Sequence, residues 1–404
     1  MIKIPKIQHD EILFFLPYTS FLFVSILSCS FYYVYFSSLY KYIGIVCVTL
    51  LFLREIPNRF RKREFWGAII LTLLSTYIVT FGQDSLQISF ACTFLFAFCA
   101  RNIDFRKISA FSIYISVTAL AIVVFSAFVG IIPDYIRVTS TRVRHYLGFR
   151  YALYAPSIMT NVILLMVYYK KEHIQISRIL VLLGVSYYLF VLTDSRLTFA
   201  LSCLALVVSL VNKIRKDSFA HLKTVPKLLV PSFILCCIIS IISTIAYNPS
   251  NGLMREINEF LGKRLQYGQL SMSMYGFGWF GNKNIEWVGW GLDQFGNMSN
   301  RQYLYVDNMY LQLLQKRGFL FLLVFIIMAT AVMVVLSKKK ENLLLMLFSI
   351  IALHGVIDDL VLYFQYNTFW LLFGAALFGY INRQSGVSSL EAVKGKRRRV
   401  RFRF

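Results

Sequence analysis

The sequence predicts an all-α fold: a polytopic integral membrane helical bundle of about 12 transmembrane helices, with one large extracytoplasmic loop carrying short amphipathic helices. Composition is the first observation. Of 404 residues, 58% are hydrophobic and 15% charged, where a soluble domain is about a quarter charged. The mean hydropathy is +0.63. Apolar runs are the second: stretches such as Leu180–Leu192 and Phe319–Leu336 recur along the chain. The third is one long interruption, 248–317, rich in Gly and aromatic residues and holding Trp279, Trp287 and Trp290. A loop that long beside short ones is functional or disordered, and its aromatic content argues against disorder.

The apolar runs place spans at 11–30, 36–53, 66–82, 86–100, 108–131, 151–169, 179–193, 197–211, 228–247, 318–336, 342–357 and 361–380. The second, fourth, seventh and eighth are short for a crossing of about 20 residues. The chain divides into an N-terminal bundle of about nine spans, 1–247, the large loop, 248–317, the C-terminal spans, 318–380, and a basic tail, 381–404.

An even number of spans puts both termini on one side. The N-terminus, the tail and loops 54–65, 101–107, 170–178, 212–227 and 337–341 carry most of the 42 Lys and Arg. Basic loops stay in the cytoplasm. Both termini are therefore expected to be cytoplasmic, in the inner (plasma) membrane, with 248–317 facing outward. The net charge of +23 follows from this asymmetry, and no nucleic-acid partner is expected. The tail, KGKRRRVRFRF, is expected against the lipid bilayer's anionic headgroups, each basic residue adding about 1 kcal/mol. No cleavable signal peptide is expected, because the first apolar run lacks a small-residue cleavage site. The seven Cys sit in or beside apolar runs without metal-ligand spacing. Neither a metal centre nor a disulfide framework is expected from them.

Polar groups gather in four places. The loop after the fifth span holds Arg137, Arg142, Arg144, His145 and Arg150 against Asp134. So many cations on an outward loop break the charge trend, and Arg forks match phosphate oxygens. The alternative is an ordinary solvated loop. His145 is a possible proton carrier. Asp194 and Arg196, in LTDSRLT, sit near membrane depth. An ionisable residue there is functional by default, or it ties two helix ends together.

The third place is the start of the large loop. Asn251 stands at an N-cap position, and Leu253, Ile257, Phe260, Leu261 and Leu265 recur at helical spacing. Their apolar face is expected on the membrane or on the bundle, and Arg264 borders it. The Trp- and Gly-rich run beyond, including Trp287, suits either a sugar-stacking floor or an interfacial aromatic belt. The fourth place is Tyr305, Asp307, Asn308 and Tyr310. If this run is helical, Tyr303, Asp307 and Tyr310 share a face. Asp307 is then a general base raised by burial, or else a helix cap. Asp358 and Asp359 add an acidic pair, weak by itself as a divalent-ion site. There is no Walker A loop, GxGxxG, HExxH or GxSxG, so ATP-driven transport and soluble cofactor chemistry are unsupported.

The stretches RHYLGFRYALYAPSIMTN, LTDSRLTFAL, LGKRLQYGQLSMSMYGFGWFGNKNIEWVG, YVDNMYLQLLQKRGF and DDLVLYFQYNTFWLLF resemble landmarks of Wzy-type repeat-unit polysaccharide polymerases, in the O-antigen ligase/polymerase superfamily. The resemblance covers the middle and C-terminal two-thirds of the chain. The first hundred residues match only in hydropathy. It implies a membrane glycosyltransferase that takes undecaprenyl-diphosphate-linked glycans, with no nucleotide sugar, cofactor or obligatory metal. Flippase and chain-length regulator proteins are the partners it implies. Related ligases carry His where this chain reads Tyr305-Val306-Asp307-Asn308. That departure favours polymerase over ligase and leaves Asp307 as the nearest candidate base.

On this resemblance, Arg264, Arg196 and Asp307 are the expected catalytic residues. Arg137, Arg142, Arg144, His145, Arg150, Asn308, Tyr310 and Trp287 are expected to bind substrate. The leaving diphosphate needs cations, and Asp307 or His145 takes the acceptor's proton. The alternatives are a lipid-linked oligosaccharide flippase, which would carry charges inside many spans, and an O-antigen-type ligase.

Overall fold

The structure is a computed structural model that describes residues 7–56, 62–81, 87–139, 142–214 and 225–378. The basic tail, 381–404, lies outside the described residues. The apolar runs fold as helices: α1 (His9–Ser28), α2 (Tyr33–Glu55), α3 (Lys62–Phe81), α4 (Gln87–Cys99), α5 (Phe105–Phe128), α6 (Tyr154–Lys170), α7 (Ile176–Thr193) and α8 (Arg196–Ile214). Short α9 (Val225–Leu229) leads into α10 (Ser232–Ile245). The chain returns through α14 (Phe319–Lys338) and α15 (Asn342–Ile357). Among the described residues, five helices are long and apolar enough to cross a membrane: Glu11–Ser28 of α1, and α5, α7, α8 and α14. The fold is thus predominantly helical, with several helices of membrane-spanning length and hydropathy.

Small polar side chains bond between the helices, as expected where the surroundings supply no water. Tyr18 bonds Ser112 at 2.7 Å and Thr160 bonds Ser202 at 2.9 Å. The aromatic excess fills the core: Phe21 stacks on Phe364 at 5.5 Å and packs on Phe96 at 5.6 Å. At one end of the bundle Arg101, 2% exposed, pairs with Glu55 at 2.7 Å and Glu64 at 3.6 Å. A buried cation survives because it is paired on both sides.

The expected span at 361–380 is corrected. Residues 358–371 make short 3-10 turns around Leu360–Leu362 and Thr368–Leu371, followed among the described residues by the short α16 (Leu372–Leu377). Polar groups capture the backbone there. The Asn367 side chain accepts from Phe369 N at 3.2 Å, and Thr368 N donates to Asn161 of α6 at 3.1 Å. Residues 358–376 are all buried, so their irregular backbone is shielded by protein. α16 docks on α4 through Gly374, where an added Cβ would stand 1.6 Å from Ala97 O.

The large loop opens with two helices, α11 (Gly252–Phe260) and α12 (Arg264–Tyr275). Asn251 caps α11, accepting from Met254 N at 3.2 Å. Leu253 and Phe260 on its apolar face are 67% and 76% exposed, so the bundle does not cover that face. The remainder is irregular, pinned by an isolated bridge between Val288 and Leu304. It rejoins the bundle through α13 (Met309–Gln312) and a π turn over Leu313–Arg317.

Candidate functional site

Four segments meet on the face that carries the long loop. They are a hairpin of β1 (Ile136–Val138) and β2 (Val143–His145), the turn between α7 and α8, the corner between α11 and α12, and the extended run 303–307. They enclose a cavity of about 210 Å³ lined by the cations Arg137, Arg142, Arg144, Arg196, Lys263 and Arg264, and by the carboxylates Asp194 and Asp307.

Hairpin register explains which cations arrive. Arg137 pairs with Arg144 across the ladder, so both side chains stand on one face. His145 is one residue further and takes the opposite face. There its Nδ1 lies 2.6 Å from Asp134 Oδ2.

Asp194 gathers the hairpin cations. It ends α7 in the left-handed region, φ 46°, which Asp tolerates better than most residues. Its carboxylate lies 3.1 Å from Arg142 Nε, 4.0 Å from Arg144 Nη2 and 3.0 Å from Arg196 Nε. Arg144 Nη2 also donates to the Asp194 carbonyl at 3.3 Å. The Asp194–Arg196 pair therefore does tie two helix ends together, while also presenting three guanidinium groups to one cavity.

Arg264 and Asp307 form the other wall. Gly262 and Lys263, both at φ +67°, turn the chain sharply enough to start α12 at Arg264. Asn258 braces this corner, donating to Tyr247 Oη at 3.1 Å and accepting from Gln266 N at 3.1 Å. Arg264 Nη2 lies 3.7 Å from Asp307 Oδ2, and its Nη1 donates to Leu261 O at 2.7 Å. The Nε groups of Arg144 and Arg264 are buried and bond nothing among the described residues. Asp307 lies in the loop, ahead of α14. Burial pushes its carboxyl up to about 6, against the pull of Arg264 and Arg144 and with a push from Asp358.

An aromatic column closes the cavity. Arg137 stacks 3.3 Å over the Trp290 ring, Trp290 stacks on Tyr303 at 4.7 Å, and Tyr267 meets Tyr303 edge-on at 4.8 Å. Trp290→Ala releases Arg137. A cation–π contact is worth about 0.5–1 kcal/mol, so inorganic diphosphate should bind about threefold more weakly. Trp287→Ala should leave that affinity unchanged, a contrast read by titrating both purified variants.

Of the residues expected from sequence, Arg137, Arg142, Arg144, Arg196, Arg264 and Asp307 come together. Five lie off the cavity. His145 pairs with Asp134. Arg150 donates to Ser28 O at 2.7 Å and stacks on Tyr33, clamping the end of α1. Trp287 donates to Ser271 Oγ at 2.8 Å and carries Lys316 over its ring. Asn308, not Asp307, caps α13, and it also bonds Ser240 at 3.1 Å. Tyr310 is fully buried, donating to Ala352 O at 2.8 Å. The face shared by Tyr303, Asp307 and Tyr310 does not form, because the helix starts only at Met309.

Sequence reasoning did not assign Lys263, Trp290, Tyr267 or Tyr303 to the site. Spacing carried no signal separating Trp290 from Trp287, since the Val288–Leu304 bridge sorts them in three dimensions. Asp358 and Asp359 are buried beside the cavity, with Asp359 held by Tyr305 Oη at 2.9 Å. Chemically, the cavity can hold a polyanion against several guanidinium groups with one carboxylate of raised pKa alongside. Comparison with protein-family models, curated proteins and solved structures finds no match.

Proposed function

We propose that the chain is a Wzy-type polysaccharide polymerase, a membrane glycosyltransferase. It joins undecaprenyl-diphosphate-linked oligosaccharide repeat units into capsular or exopolysaccharide on the outer face of the cytoplasmic membrane. The observation that carries this reading is the convergence of six cations and Asp307 on one cavity at the helix ends. An acceptor sugar hydroxyl attacks the anomeric carbon of the donor glycan and gives its proton to Asp307. The anomeric C–O bond breaks, and its electron pair leaves on the lipid diphosphate. Arg142, Arg144, Arg196 and Arg264 stabilise that charge.

The carboxyl of Asp307, raised to about 6, is ionised near neutrality yet more basic than an ordinary Asp, which suits a general base. Lys263 joins the cationic wall, and the stack of Arg137, Trp290 and Tyr303 closes the cavity beside it. The flippase alternative would carry charges inside many spans. Among the described residues, the buried polar positions along α5, α6 and α8 are Ser, Thr and Asn, and buried ionisable groups such as Glu11, His354 and Asp358 lie in first or last turns or at helix ends, which favours the enzyme.

A strain lacking the protein provides the test, by gel analysis of surface glycan and of lipid-linked intermediates. Single repeat units accumulating on the outer leaflet support polymerisation. Units trapped on the cytoplasmic side overturn it in favour of a flippase.

A further inference from the structure

A second group of cations stands at the end of the bundle opposite the long loop. α5 runs into the hairpin, α6 starts shortly after the cavity residue Tyr151, and α7 ends at Asp194. Their other ends therefore lie together, about 25 Å or more from the cavity by helix rise. Arg106 and Arg178 stand in the first turns of α5 and α7, and Lys170 closes α6. The Arg106 guanidinium and the Lys170 ammonium each lie 5.2 Å from the centre of the Tyr169 ring. Arg106 and Arg178 both repel Lys170. Among the described residues no carboxylate pairs with any of the three. Asp104 caps α5, accepting from Arg106 N at 2.8 Å, Glu172 faces His173 at 3.1 Å, and Glu341 faces Lys171 at 3.9 Å. A cation in the first turn of a helix also opposes the dipole, so this cluster gains from an anion placed against it.

The same corner is apolar on its outer side. Val181 and Val185 follow Arg178 along one face of α7 and are 63% and 41% exposed, with Ile176 and Leu180 exposed beside them. We propose that Arg106, Lys170 and Arg178 bind the phosphodiester head of an anionic phospholipid whose acyl chain lies along α7. The inference is independent of the proposed function. A free phosphate would leave the α7 stripe bare. A zwitterionic lipid would bring its own cation against the cluster, where like charges repel. Basic groups between helix ends at a membrane surface are the usual complement of anionic lipid heads. Here Tyr169 holds two of them in place as well.

The test uses the full chain in detergent, titrated with phosphatidylglycerol and with phosphatidylcholine and read by native mass spectrometry. The wild type should bind one phosphatidylglycerol at least about tenfold more tightly than phosphatidylcholine, the scale set by a few basic residues near a lipid surface. The Arg106→Gln, Lys170→Gln, Arg178→Gln triple variant should lose that preference while eluting as a folded, monodisperse protein. A control removes the same charge elsewhere at this end of the bundle, at Lys338→Gln, Lys339→Gln and Lys340→Gln, all exposed where α14 ends. It should keep the preference. Equal affinities in the wild type overturn the inference, and so does a triple variant that still prefers phosphatidylglycerol. A control that loses the preference equally also overturns it, because the effect then belongs to the diffuse field of the whole surface. Displacement of the bound lipid by inorganic phosphate would make this a site for the free anion and remove the lipid.

Discussion

Arg264→Ala should stop chain extension while lipid-linked single units accumulate, and Asp307→Asn should do the same. Losing one preorganised charge at a developing oxyanion costs about 10²–10³ in rate, and losing a general base about 10²–10⁴. On the proposed function Arg264 would touch both roles, facing the leaving group while it stands 3.7 Å from Asp307. Its removal also has a signed effect on pH dependence. The base works ionised, so the wild-type rate should fall as pH drops through about 6. Arg264 is the cation that most opposes the rise of the Asp307 pKa. Without it, the acid limb of any residual activity should move to higher pH, whereas Asp307→Asn should abolish the limb. Polymer of normal length in both variants would sink the catalytic assignment.

The largest effect on stability is expected far from the cavity. Gly374→Ala should unfold or misassemble the protein. The new Cβ would fall 1.6 Å from Ala97 O and 2.5 Å from Ala97 C, and neither backbone can yield without parting α16 from α4. Overpacking of this kind costs about 3 kcal/mol or more. Gly184→Ala in α7 is the contrast, since no atom lies within 4 Å of its added Cβ. It should be neutral or stabilising by up to about 1 kcal/mol through helix propensity. Thermal unfolding and size-exclusion profiles of the two variants in detergent would separate them. Equal melting temperatures would show that the α4–α16 approach is looser than the geometry states.

Most helices were legible because a long apolar run leaves few alternatives. The run at 361–380 misled for the same reason. Hydropathy cannot tell a lipid-facing helix from irregular chain buried by its neighbours, and the bonds of Asn161 and Asn367 that decide the matter are tertiary or local. The hairpin cations were legible as a departure from the charge trend. His145 was not separable from them until register put it on the opposite face. Asp307 and Asn308 illustrate the same limit. Either can cap a helix, and only the start of α13 at Met309 gives the cap to Asn308 and leaves Asp307 to face Arg264.

Asp194 has a consequence for turnover. Its carboxylate occupies Arg142 and Arg196 at ordinary ion-pair distances, so on the proposed function an arriving diphosphate would exchange one anion for another at these two guanidinium groups. Exchange lowers the net gain on binding, and it discriminates by valence, because a monoanion competes poorly with a carboxylate already in place. On the proposed function, the same residue would act in reverse after bond cleavage. As the spent carrier left, Asp194 would take back its guanidinium partners, so release need not strand uncompensated positive charge. An internal counter-ion of this kind would trade affinity for throughput, which would suit a site that sheds a charged carrier in every cycle.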